Sequence, residues 1–242
     1  AAAQAGTVAA LTGDATLAII DTDSWKVTRT VTVTGAGGKL VGIDVRPADG
    51  ALYGLTADGT VVTIDWTSGK AAVKSKLEKM PASGAIVTVD FNPVADRLRV
   101  IGSDGSNLRA NVDDGKVVTD GGLKFADADA GKGKTPKVVA GAYTNSIKGA
   151  TQTTLYDVDA ATGVLAKQAP PNDGVLGTVG SLGMTVGTVA FDIGPDGKGG
   201  DAGWLLADGM LYSVDLASGK TTKVGAIDGV AKAWDIAVIP GK

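Results

Sequence analysis

A unit of about 45 residues is written five times along this chain, and that repetition limits the fold more than any other feature. Its most visible part is an apolar residue, an aspartate, a short polar turn that often ends in glycine, and a strand-like run of Thr, Val and Lys. It reads IIDTDSWKV at 19–27, TIDWTSGKAAV at 63–73, NVDDGKVV at 111–118, DVDAATGVL at 157–165 and SVDLASGKTTKV at 213–224. The aspartates are Asp21, Asp65, Asp113, Asp159 and Asp215, spaced 44, 48, 46 and 56 residues apart. An Asp side chain accepts from backbone N–H groups two residues on and holds a tight turn. Gly69, Gly163 and Gly219 supply the positive φ from which the next strand starts. These five aspartates are therefore read as structural.

A second element precedes each copy: LVGIDVRP at 40–47, IVTVDFNP at 86–93, VVAGAYTN at 138–145, TVAFDIGP at 188–195 and, at the C-terminus, IAVIP at 236–240. Between the two elements lies another short strand, VAALT at 8–12, ALYGLT at 51–56, RLRVIG at 97–102 and GWLLA at 203–207. In the fourth unit the pattern is weaker and points to GATQTT at 149–154. Four short strands per unit and five units predict an all-β fold, a five-bladed β-propeller of four-stranded blades. The first unit has only three strands, at 8–33. WDIAVIP at 234–240 supplies its missing inner strand, so the two ends of the chain share one blade and no sheet edge is left at the ring's seam. A β-sandwich is the runner-up, but it gives no reason for five repeats with a permuted end.

The run GIDVRP…LYGLTADG, then VDFNPVADRLRV, SNLRANVDDG, AYTN and TTLYDVDAATG, resembles a bacterial family known as domain of unknown function 4394, over about residues 7–240. The resemblance implies an exported protein of repeat-built β architecture and carries over no activity and no catalytic residue. The chain departs from the family's usual look in GPDGKGGDAG at 194–203, and in Trp234 and Asp235 on the closing strand.

Composition removes most chemistry. The chain has no Cys and no His. Disulfides, thiol catalysis, thiolate metal sites, Ser-His-Asp and Cys-His constellations and ordinary zinc chemistry are excluded. The net charge is −3 with no basic block, so the footprint of a nucleic-acid binder is missing. No apolar run reaches the ~20 residues of a membrane span. The start, AAAQAG, resembles the small-residue sequence around a signal-peptidase cut, which points to a secreted, periplasmic or cell-surface protein.

What remains is carboxylate, Arg and amide chemistry. Asp44, Asp90 and Asp192 share one register on three inner strands, with Ala142 and Ala237 in the other two. Three carboxylates at one level of a channel can bind a cation, or act as acid and base on a sugar. The favoured reading is structural: an inner-strand side chain points at the next blade, where a buried Asp must be hydrogen-bonded or paired. Four of the five arginines, Arg46, Arg97, Arg99 and Arg109, fall between 46 and 109. Arg97 and Arg99 are placed to pair with Asp44 or Asp90 between the second and third blades, or else to bind an anionic ligand. Asn107, Asn111, Tyr143 and Asn145 are then the hydrogen-bonding neighbours, and Asn92 is a further candidate ligand contact. DIGPDGKGGD at 192–201 sets Asp192, Asp196 and Asp201 among glycines, as a Ca²⁺ loop would. It lacks the EF-hand spacing and terminal Glu, so a solvated turn is favoured and no cofactor is expected. Trp25 and Trp66 fall in equivalent turns, where they stack on a sugar or cover neighbouring turns.

The sequence thus reads as one propeller domain over 1–242, with 1–6 a flexible segment. Its leading function is a non-enzymatic binding module for a small molecule, glycan or protein, acting at the channel mouth or loop face. A funnel lined by Arg46, Asn92, Tyr143 or Asn145 is expected for it. One alternative is a hydrolase or lyase using Asp44, Asp90 and Asp192, which needs two of them in reach of solvent. Another is a structural envelope or matrix protein.

Overall fold

The computed structural model describes residues 6–241. Residues 1–5 of the AAAQAG start, read above as a signal-peptidase cut region, lie outside them. Five small antiparallel sheets form a ring, and they are numbered here as blades from the N-terminus. Blade one joins Asp235–Ile239, as its inner strand, to Thr7–Gly13, Thr16–Asp21 and Lys26–Thr32. Blade two is Leu40–Val45, Leu52–Thr56, Thr60–Ile64 and Ala71–Lys76. Blade three is Val87–Asn92, Arg97–Gly102, Asn107–Ala110 and the short Val117–Thr119. Blade four is Val138–Tyr143, Leu155–Asp159, Val164–Gln168 and Val175–Ser181, with Lys124–Phe125 added in parallel at its outer edge. Blade five is Val189–Pro195, Asp201–Ala207, Met210–Val214 and Thr221–Ala226. Each inner strand packs on the inner strands of both neighbouring blades, closing the circle around an axis.

The closing pairing follows the expectation. Ala237 faces Ala9 and Asp235 faces Leu11 across an antiparallel ladder. Gly6, assigned above to the flexible segment, is tied down by reciprocal bonds with Thr22.

The strands are apolar on both faces because each blade is covered on both sides. Along Thr7–Gly13, Ala9 and Leu11 join the cluster shared with blade two, while Val8 and Ala10 join the one shared with blade five. Five such clusters fill the five interfaces. Each fully buried Leu, Ile or Phe contributes about 1.5–3 kcal/mol. The cluster between blades three and four is the smallest of the five, and polar side chains fill part of that interface.

The recurring aspartate motif encodes a turn and not a place in the blade. Asp21, Asp65 and Asp215 each sit between the third and fourth strands, and each accepts a backbone N–H two or three residues on. Gly69 has φ 79°, as the turn requires. The Asp21 turn of blade one contains no glycine, and Trp25 takes that conformation, φ 51°. In blade three the cap is Asn111, which accepts from Asp113 N–H; Asp113 is free for another partner. In blade four Asp159 lies one hairpin earlier, between the second and third strands. The second strand there is Leu155–Asp159, and 149–154 is loop.

Candidate functional site

The inner edge of each inner strand faces the axis and leaves backbone N–H groups with no strand to bond. The inner-strand aspartates answer this, and they do so across blades. Phe91 N–H of blade three donates to Asp44 of blade two at 2.6 Å. Tyr143 N–H of blade four donates to Asp90 of blade three at 2.9 Å. Val238 N–H of blade one donates to Asp192 of blade five at 2.6 Å. One level away, Ile43 N–H donates to Asp235 at 2.7 Å and Gly141 N–H to Thr88 at 3.1 Å. Blade four carries Ala140 and Ala142 at these two levels, so the junction from blade four to blade five has no such staple among the described residues.

These carboxylates also meet one another. One oxygen from each of Asp44, Asp90 and Asp192 lies within 4.8 Å of the other two. Their exposures are 9%, 4% and 4%, and no salt bridge reaches any of them among the described residues. Burial drives their protonation upward. Asp44 is raised well above the ordinary carboxylate range by burial and then by the charge of Asp192, against the N–H bonds from Phe91 and Val45. Asp90 is raised by burial, Asp44 and Asp192. Asp192 is pushed up to about 7 by burial, opposed by its two backbone bonds. Asp235, noted in the sequence only as a departure, is raised as well.

The arginines do not pair with this group. Arg46 makes a two-pronged bond to Asp96, at 2.8 and 2.7 Å, and another to Asp113, at 3.1 and 3.0 Å. It ties blade two to two turns of blade three, which is what Asp113 does instead of capping. The Arg46 and Lys74 charges hold Asp113 down at about 2. Arg99 is buried and spends its donors on Tyr143, Asn107, Asp120 and Asn172. Arg109 grips the same Asp120 with two bonds. The predicted neighbourhood of Arg99, Asn107, Arg109 and Tyr143 therefore exists, as an internal network between blades three and four. Asp120, Asn172 and Gln168 were not singled out, because their partners lie far off in sequence. Arg97 points outward and bonds only to the carbonyls of Ala95 and Asp96. Asn92 caps the Val94–Ala95 turn. Asn145 donates its side-chain amide to the Gln152 carbonyl and its backbone N–H to Asp201 Oδ1. Arg46, Asn92, Arg97, Arg99, Asn107, Arg109, Tyr143 and Asn145 thus form no common surface.

Asp192, Asp196 and Asp201 do not converge either. Asp196 caps its own loop through Lys198 and Gly200 N–H, and Asp192 lies down the strand at the axis. Trp25 packs against Trp204 with centroids 4.6 Å apart and planes tilted by 55°, and the Arg29 guanidinium lies 5.3 Å from the centre of the Trp66 ring.

The concave feature is at the mouth where the inner strands begin, opposite the one expected to hold Arg46 and Asn145. It is a hollow of about 230 Å³ lined by Val41, Ile86, Val87, Val139, Val189 and Trp234, with Lys39 at the rim. The Lys39 ammonium lies 5.2 Å from the centre of the Trp234 ring and 3.1 Å from Asp14. At the other mouth the space against Asp44, Asp192 and Ser146 is only about 10 Å³.

Another buried group emerges between blades three and four. Both oxygens of Asp157 and the Oε1 of Gln168 have no hydrogen-bond partner among the described residues. Asp157 lies so close over Gly141 that a Cβ there would meet its Oδ1 at 2.5 Å. Burial pushes Asp157 up to about 8, opposed by Arg99 and reinforced by Asp159.

Fold and site together define a five-bladed β-propeller with carboxylates packed at mid-axis and an apolar hollow at one mouth. The chain belongs to the family described as a domain of unknown function, DUF4394, whose profile matches residues 16–237. Among solved structures it is similar to a protein of unknown function from Bacteroides thetaiotaomicron, at 16% identity and a TM-score of 0.56, over 98% of this chain and 65% of that one. It is also similar to an auxiliary nutrient binding protein from the same organism, at 15% identity and a TM-score of 0.51, over 78% of this chain and 50% of that one. The chain thus spans less than two thirds of the length of either structure, and the likeness is one of fold. No curated protein matches the sequence.

Proposed function

We propose that this chain is a binding module that takes a small, largely apolar ligand, with one anionic group for Lys39, at the mouth where the inner strands begin. The observation that carries the reading is the hollow itself, about 230 Å³ of open space walled by valines, Ile86 and Trp234. That is a little under the roughly 300–1,000 Å³ of drug-sized sites, so the ligand is small, of one or two rings. Aromatic and aliphatic walls with one placed charge are what such sites use for affinity and orientation. Catalysis by Asp44, Asp90 and Asp192 is disfavoured by their burial, and a purely structural role by the open mouth. An exported location, secreted, periplasmic or at the cell surface, goes with this reading and rests on the sequence resemblance.

A thermal-shift screen of small aromatic and heterocyclic carboxylates, followed by calorimetry, tests it. Hits are expected to quench Trp234 fluorescence and to weaken at least about tenfold in Val139→Glu. Hits indifferent to Val139→Glu and Trp234→Ala would move the site elsewhere. No binder at millimolar concentration would remove the reading.

A further inference from the structure

The three axial carboxylates, Asp44, Asp90 and Asp192, are more than staples. A staple to one backbone N–H needs one acceptor oxygen, and Asn supplies that without a charge. Asp44 and Asp192 use both oxygens, on Val45 and Phe91 N–H and on Ile193 and Val238 N–H. Asp90 does not. It is 4% exposed, its Oδ1 takes the Tyr143 N–H, and no described residue donates to its Oδ2. Three carboxylates this deeply buried and this close together are a costly arrangement unless they hold protons or something positive sits among them. Among the described residues no side-chain cation does so: the buried guanidiniums Arg46 and Arg99 are held by Asp96, Asp113 and Asp120. Beside two of the three, Asp44 and Asp192, lies a space of about 10 Å³, the size of one water, which Asp90 does not line.

We propose that Asp44, Asp90 and Asp192 bind one divalent, oxygen-seeking cation on the propeller axis, of which Ca²⁺ is the best fit. Carboxylate oxygens select hard cations. Ca²⁺–O distances of 2.3–2.6 Å let two ligands of one ion stand up to about 5 Å apart. The three oxygens lie within 4.8 Å of one another. The interblade N–H bonds fix the carboxylates in place, as outer-shell bonds do around metals. The site draws on three blades, so the ion would cross-link the ring from its centre. This inference stands apart from the hollow, which lies at the opposite mouth.

The test uses the full chain stripped with chelator. Equilibrium dialysis with Ca²⁺, Mg²⁺ or Mn²⁺ should show one ion per chain for at least one of them. The unfolding midpoint should rise by about 5–10 °C at roughly a hundredfold above Kd. Asp90→Asn should abolish binding, yet match or exceed the stripped wild type in its own midpoint at pH 8, because it removes a repelling charge. A merely structural Asp90 would give a lower midpoint. Asp196→Asn, in the outer loop, should bind as the wild type does. If Asp90→Asn does not fold, Asp192→Asn and the wild-type midpoint shift carry the decision. No ion bound and no shift with any of the three, or wild-type binding in Asp90→Asn, overturns the proposal.

Discussion

Replacing Asp157 with Asn should change how stability depends on pH far more than it changes the structure. Asp157 has no hydrogen-bond partner for either oxygen among the described residues and is held up to about 8. An unfolded Asp titrates near about 3.9. The folded state therefore holds a proton that the unfolded state releases between about pH 4 and pH 8. The stabilisation tied to that proton is fully present below about pH 4 and is lost as pH rises through about 8. At about 1.36 kcal/mol for each unit of pH, the wild type should lose about 3–4 kcal/mol relative to Asp157→Asn between pH 5 and pH 8. Urea unfolding at several pH values, for both proteins, gives the difference directly. Titration of the axial carboxylates occurs in both and cancels. Two parallel pH curves would refute the reasoning and mean that Asp157 is ionised and solvated, or partnered, in the fold.

Other perturbations probe the interfaces. Arg46→Ala should cost about 2–4 kcal/mol in denaturant unfolding, since it removes a largely buried guanidinium bound to two half-exposed carboxylates. In a double-mutant cycle Asp113→Ala should couple to Arg46→Ala, whereas Asn111→Ala should cost about 1 kcal/mol additively; the reverse pattern would restore Asp113 as the turn cap. Arg99→Ala should cost about 3–5 kcal/mol, because Tyr143, Asn107 and Asn172 lose their donor together; a loss under 1 kcal/mol would show that Arg109 alone satisfies Asp120. Deleting residues 234–242 removes the inner strand of blade one and should abolish cooperative unfolding by circular dichroism.

The blades were legible because their signals are local. Alternating apolar residues, a capping Asp and a turn glycine act within about ten residues, and the permuted first unit gave the ring closure. Where local signals serve two masters the reading slipped. DVDAATGVL builds the same turn on a different hairpin, and in NVDDG the turn is held by Asn111 and Asp114 while Asp113, in the motif position, goes to Arg46. The axial register of Asp44, Asp90 and Asp192 was also legible, since inner strands align on one another. The fate of the arginines was not. Arg99 meets Asn172, 73 positions away, and Arg46 meets Asp113, 67 away; nothing in a single strand's pattern reports such partners. The hollow was missed for a related reason: its wall consists of ordinary strand-start valines that become a surface only when five strands are arranged in a circle.

The two alanines, Ala140 and Ala142, give the ring a directional weakness. Blades four and five are joined by apolar packing, with Val139, Leu165, Phe191 and Leu205 among its members, and among the described residues by no axial staple. Apolar packing loses strength on cooling, while the carboxylate-stapled and Arg-bound joints respond to protons and salt. Cold and alkali should therefore open the same circle at different places: cold between blades four and five, alkali between blades three and four where Asp157 lies. The covalent ends of the chain, paired within blade one, need be at neither.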